Sequence, residues 1–137
     1  MTENLLRFRR DQKFLFYDVE TENLALWNSS IHSNRAWQIG YVLTRGKEVI
    51  EESISDIWWP DLNIGIDAAR ITRFDYNTYR GRAKPAKEVY EKFAALLYDP
   101  SIIIVGQNAL NFDNLIVQNW RQALGLKPDW SFINRVI

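Results

Sequence analysis

The chain has 137 residues, long enough for one domain with a real core. An apolar share of 47% with 14% aromatics excludes a disordered chain, and 17 cations against 17 anions exclude a global basic field. There is no cysteine and a single His, His32, which removes disulfides and thiolate sites and argues against the common His type of zinc site.

Residues 1–12 carry Arg7, Arg9 and Arg10 and read as a basic, solvated arm, with residues 13–137 forming the domain. Neither a signal peptide nor a membrane span is visible, so cytoplasmic residence is the default expectation. Phe14-Leu15-Phe16-Tyr17 is a short apolar run, read as a buried strand that ends at Asp18. Residues 22–34 are polar and read as a loop. Trp37–Leu43 and Glu48–Ile57 read as two more strands, joined by a hairpin turn over Thr44-Arg45-Gly46-Lys47. Trp58-Trp59-Pro60-Asp61 ends the ladder, because Pro has no N–H to donate.

Residues 64–82 read as irregular, with a short helix near Ile66–Thr72. Between positions 70 and 87 stand Arg70, Arg73, Arg80, Arg82, Lys84 and Lys87 against one acid, Asp75. A solvated surface is the plainer reading and a phosphate-contacting edge the functional one. Lys84–Tyr98 has the 3.6-residue apolar period of a helix, stopped by Asp99-Pro100. Ile102–Val105 is apolar on both faces and reads as a central parallel strand. A second helix is expected from about Asn111 to Leu124, capped by Gly125. Phe132–Ile137 begins a further strand. The pattern predicts an α/β fold: a mixed sheet of three antiparallel strands and then parallel strands, with helices on its faces.

Asp18 and Glu20 are two residues apart, so a regular strand projects both from one face. Carboxylates that close repel unless a cation lies between them, and Mg²⁺ or Mn²⁺ suits oxygen ligands. Asp113 opens the second helix. If the strand before it neighbours the first strand, all three acids converge at the carboxyl ends of parallel strands, where ligand sites of such sheets concentrate. Two metal ions held there suit in-line cleavage of a phosphodiester. The plainer alternative is a strand-end turn plus an acid favourable to a helix dipole.

The residues Asp18-Val19-Glu20-Thr21 and Gly106-Gln107-Asn108-Ala109-Leu110-Asn111-Phe112-Asp113 resemble the first two motifs of the DEDD (DnaQ-like) 3′–5′ exonuclease superfamily. Arg35-Ala36-Trp37-Gln38-Ile39-Gly40 resembles the second-strand pattern, and Ile71-Thr72 and the Lys84–Tyr98 helix fall where that family places theirs. The resemblance covers about residues 13–137. It implies a ribonuclease-H-like fold and removal of nucleotides from the 3′ end of single-stranded DNA or RNA by two Mg²⁺ or Mn²⁺ ions. Asp18, Glu20 and Asp113 take the metal-ligand and catalytic positions. Thr21, Leu24, Asn108 and Phe112 match positions that border the terminal nucleotide. The third motif, with a fourth Asp and a Tyr or His base, is missing: Asp129 is the sole acid after Asp113 and sits in a turn-like setting. The chain therefore resembles an exonuclease domain truncated at its C-terminus, completed by a continuation or a partner polypeptide. A non-catalytic single-strand-binding module and an assembly subunit on the same fold are the alternatives.

Overall fold

The structure is a computed structural model that describes residues 10–23, 34–106 and 112–137. The arm at residues 1–9, most of the predicted loop with Leu24, Trp27 and His32, and Asn108 lie outside the described residues.

Three strands form an antiparallel meander: β1 (Lys13–Thr21), β2 (Ala36–Arg45) and β3 (Glu48–Trp58). The turn between β2 and β3 is tight because Gly46 takes φ +57, a left-handed conformation. A Cβ there would also lie 2.5 Å from the Arg10 carbonyl oxygen, so the position excludes a side chain twice over. After β3 come α1 (Ile66–Thr72) and α2 (Tyr76–Arg82), then the two-residue β4 (Lys84–Pro85), which pairs in parallel with Ile57 and Trp58. Helix α3 (Ala86–Leu97) leads to β5 (Ile102–Val105), and α4 (Asn114–Ala123) follows. A short 3-10 turn, Ile133–Arg135, closes the described chain.

The sheet order is β4-β3-β2-β1-β5, with β5 parallel to β1 and Phe16 opposite Val105. The expected mixed sheet is therefore present. Strand β5, however, ends the five-stranded order instead of lying inside it. A single parallel bridge, Ile104 to Val136, continues the sheet beyond it, and the Ile137 N–H donates to the Ile104 carbonyl at 2.9 Å. One face of β5 is fully buried, with Ile102 and Ile104 on it, while Ile103 and Val105 on the other face are only half-buried, so the expected burial on both faces is not found; Val136 packs against the core.

Two further expectations are corrected. Residues 76–82 are helical, not irregular: Asp75 caps α2 by accepting from the Thr78 N–H at 3.1 Å, and Tyr79 alone among its residues is buried. A seven-residue helix with one buried side chain leaves no periodic trace. The helix expected from Lys84 starts at Ala86, because Pro85 holds the preceding residue extended and Lys84-Pro85 pairs with β3 instead.

The core lies on one face of the sheet. Leu15, Tyr17 and Val19 of β1, with Ile39, Tyr41 and Leu43 of β2, meet Val89, Phe93 and Leu97 of α3 and Ile116, Val117 and Trp120 of α4. The Phe93 ring lies 4.9 Å from Tyr17 and 6.4 Å, stacked, from Trp120. These are large payloads of apolar area, and their interlocking fixes α3 and α4 on the same face. The opposite face carries Phe16 (42% exposed) and Ile54 (76% exposed). Among the described residues, no helix is long and apolar enough to cross a membrane.

Candidate metal and nucleic-acid site

Strand β1 alternates strictly. Leu15, Tyr17, Val19 and Thr21 are buried, whereas Phe16 and Asp18 are exposed and Glu20 half-buried. The two acids thus stand on the open face, while the residues between them anchor the strand in the core. Strand β2 helps from the other side: Asp18 is opposite Gly40, whose missing side chain leaves the space above it free.

Asp113 arrives from a different part of the chain. Strand β5 runs parallel to β1, so both finish at the same end of the sheet. Asp113 occupies the residue before α4, and its side chain makes no capping hydrogen bond there. It is 5% exposed. Burial, first, and then the charges of Asp18 and Glu20 push its carboxyl up to about 7. Glu20 is raised too, by burial and then by Asp18. The helix dipole at the start of α4 favours an anion at Asp113, but the burial and the two neighbouring acids outweigh it.

Among the described residues, no cation offsets these like charges at Asp113 or Glu20. Arg35, which follows the end of β1, is committed elsewhere. It pairs with Glu22 at 2.9 Å and Asp61 at 2.9 Å, and its guanidinium lies 4.5 Å over the Trp59 ring. Among the described residues no three acids or imidazoles are drawn together into a ready metal cage. The donor set nevertheless fits a hard divalent ion: three carboxylates, no thiolate and no imidazole, held on rigid elements and repelling one another. Carboxylates in that state adjust when a cation joins them.

The acids border a groove of about 960 Å³, lined by Phe16, Asp18, Gly40, Val42, Ile54 and Asp113, with Glu52 farther along. Its walls are mostly apolar and its acids sit to one side, which suits a ligand with a flat apolar part and a charged part.

The other expected site residues divide. Thr21 lies on the buried face of β1 and its hydroxyl donates to the Asn23 carbonyl at 2.5 Å, so its side chain does not join the acids. Phe112 is half-buried and packs against the core beside Asp113. Leu24 and Asn108 lie outside the described residues. Asp129 accepts from the Ser131 N–H at 2.9 Å, and that contact lowers its pKa; Asp18 and Asp113 do not act on it.

Sequence reasoning missed two supports. Tyr17 donates its hydroxyl to the Asn114 side chain, tying β1 to α4 between the acids they carry. Burial, and then the charge of Asp113, raise the Tyr17 phenol, so it stays a neutral donor. Glu22, 2% exposed, accepts from Arg35 and from the Asn63 N–H at 2.9 Å, and its carbonyl accepts from the Gly65 N–H at 2.8 Å. This buried knot fixes the end of β1 two residues beyond Glu20. Only the short spacing of acids after an apolar run hinted at it, since its partners are 13 and 41 residues away.

No protein-family model and no curated protein matches the sequence. Solved structures do. Apo exonuclease I superimposes with a TM-score of 0.76 at 21% identity, over 93% of this chain and 29% of that one. The zinc-bound complex of E. coli exonuclease I with single-stranded DNA gives 0.76 at 21%, over 92% and 27%. E. coli exonuclease I with a dA16 oligonucleotide gives 0.76 at 21%, again over 92% and 27%. At this identity the likeness shows the fold, which is ribonuclease-H-like. The chain spans less than a third of the length of these proteins.

Proposed function

We propose that this chain carries the amino-terminal part of a metal-dependent 3′–5′ exonuclease site of the DEDD type, acting on the 3′ end of single-stranded DNA or RNA. One observation carries the reading: β1 and β5 run parallel to the same end of the sheet, where the charges of Asp18 and Glu20 help to raise the Asp113 carboxyl. The exonuclease fold shared with proteins solved on single-stranded oligonucleotides supports it.

Asp18, Glu20 and Asp113 would hold Mg²⁺ or Mn²⁺, two ions in the full site. Bound there, the ions supply an activated water and charge for the leaving oxygen of a phosphodiester. The chain's own residues do the rest. Carboxylates on β1 and α4 orient the ligands, the Tyr17–Asn114 bond keeps those elements in register, and the apolar groove beside Asp18 receives the terminal base. Phe112, Leu24, Thr21 and Asn108 are assigned near the terminal nucleotide by their motif positions alone.

The test is a gel assay of the 137-residue chain on 5′-labelled single-stranded DNA with Mn²⁺, beside Asp18→Ala, with Mn²⁺ affinity measured in parallel. The expected result is Mn²⁺ binding and 3′-shortened products, both lost in the variant. Mn²⁺ affinity unchanged by Asp18→Ala, with no cleavage by either protein, refutes the reading. A second reading, a non-catalytic single-strand-binding module on this fold, is favoured by one observation: among the described residues, the only carboxylates that act on Asp113 are Asp18 and Glu20.

A further inference from the structure

The basic stretch at 70–87 resolves into two groups. Arg82 is bound to the buried Asp56 at 2.6 Å, Arg70 to Asp67 at 3.2 Å and Lys87 to Glu91 at 3.8 Å. Arg73, Arg80 and Lys84 are exposed, and none has an ion-pair partner among the described residues. The one nearby acid, Asp75, spends its carboxylate on Thr78, accepting from the N–H at 3.1 Å and the hydroxyl at 2.6 Å.

Tyr76 stands between two of the unpaired arginines, 49% exposed. It and Arg80 are one helical turn apart and share a face of α2. The inner edge of the Tyr76 ring rests on Tyr79 at 6.2 Å, and Tyr79 is itself stacked on Trp58 at 5.5 Å and tilted against Phe74 at 5.4 Å. Tyr79 is locked: its hydroxyl donates to the Ile57 carbonyl and accepts from the Trp59 N–H. The exposed tyrosine thus lies tilted at 43° against a buried, doubly hydrogen-bonded neighbour.

Arg73 adds an independent sign. It caps α1 at φ 56, and it is the one non-glycine residue with positive φ among the described residues. Glycine is the favoured residue in that conformation, and an arginine accepts strain there. Strain of this kind points to a use for the side chain. The shoulder is also tied to the acidic site, because α1 begins at Gly65, which is bonded to Glu22 just beyond Glu20.

We infer that Arg73, Tyr76 and Arg80 form a docking track for single-stranded nucleic acid, with the arginines on successive phosphates and a base stacked on Tyr76. Unpaired cations in an otherwise neutral chain, flanking an exposed ring, match a phosphodiester strand in both charge and shape. The inference rests on the nucleic-acid part of the function proposed above and not on its metal part.

The test is fluorescence anisotropy of a labelled oligothymidylate of about twenty nucleotides with the whole chain, in EDTA, across a salt series. Removing both arginines (Arg73→Ala with Arg80→Ala) should lower affinity at least about tenfold and reduce the log–log salt slope by about 1.4, roughly 0.7 for each lost phosphate contact. Tyr76→Ala should weaken binding by between about fivefold and a hundredfold, and Tyr76→Phe should bind like the parent. Arg73→Gly guards against misfolding as the cause: it should bind as weakly as Arg73→Ala while its melting temperature does not fall, since glycine suits the φ of 56. Three results overturn the inference: no binding by the parent, a double variant within twofold of it at the same salt slope, or displacement of the strand by polyaspartate of equal charge, which would assign the patch to an acidic polypeptide. Loss of cleavage in Asp18→Ala with this binding intact would leave the track standing, and cleavage unaltered by loss of the track would sink the track alone.

Discussion

Asp113→Asn should stabilise the metal-free protein, by an amount that grows as pH rises from about 4 to about 7. The folded carboxyl is held up to about 7 by burial and by Asp18 and Glu20, against an ordinary value of 3.8. A folded-state pKa above the unfolded one means that the native state keeps a proton the unfolded chain has already lost. Stability from this group is therefore full below about pH 4 and falls as pH rises toward 7. At about 1.36 kcal/mol per pH unit the interval sets an upper bound of roughly 4 kcal/mol, and solvent at the groove mouth screens it to about 1–2 kcal/mol. Unfolding entropy of about 2.1 cal/mol/K per residue turns that into a gain of roughly 4–7 °C in Tm for a chain of this size. Thermal melts at about pH 4 and about pH 8 check it: the variant should match the parent at the lower pH and exceed it at the higher. Mn²⁺ at about 100 times its Kd should add about 2.7 kcal/mol to the parent and far less to the variant. A variant no more stable than the parent at pH 8, or one lifted equally by Mn²⁺, would refute the claim that Asp113 sits in an uncompensated acidic cluster.

Other substitutions probe the frame around the site. Glu22→Ala leaves Arg35 with Asp61 as its remaining carboxylate and the Asn63 N–H without its acceptor, and should cost about 1–3 kcal/mol in urea denaturation; a loss under about 0.5 kcal/mol would show that the knot does not hold the end of β1. Gly46→Ala meets both a positive φ and the Arg10 carbonyl oxygen at 2.5 Å, and should lower stability by roughly 1–3 kcal/mol by the same assay. Tyr17→Phe leaves the buried Asn114 side chain short of a donor and should cost about 1–3 kcal/mol; Mn²⁺ affinity should drop with it, because β1 and α4 lose their tie. Asp129→Asn should leave the Mn²⁺-induced rise in Tm unchanged, and a diminished rise would place Asp129 among the ligands.

The period-2 rule made the acidic pair legible. It put Asp18 and Glu20 on one face, and the burial of Leu15, Tyr17 and Val19 bears this out. The same rule, carried one residue further, places Thr21 on the opposite face, so its buried position was already implied by the spacing. Helix α3 was legible because five of its residues are buried at helical spacing. Helix α2 and strand β4 were not, since each is held by one or two distant contacts: Tyr79 on the Ile57 carbonyl, and Lys84-Pro85 on the end of β3. The Glu22–Arg35–Asp61 knot escaped for the same reason. Long-range electrostatic pairing leaves no periodic imprint, and an isolated Glu near two others reads as another acid of the cluster until its partner is seen.

The parallel pairing of β1 with β5 has a kinetic meaning. Strands β2 and β3 close through a tight turn and β1 meets β2 across residues 22–35, whereas Phe16 reaches Val105 only after the much longer chain between them has been gathered. Loop-closure entropy delays such distant contacts relative to local hairpins. Asp18 and Glu20 are therefore brought together early, and Asp113 joins them when the sheet receives its last parallel strand. Under the function proposed here, a divalent ion that needs all three carboxylates would find no site on the half-folded chain, so it would favour the finished fold and its binding would report completion of the sheet.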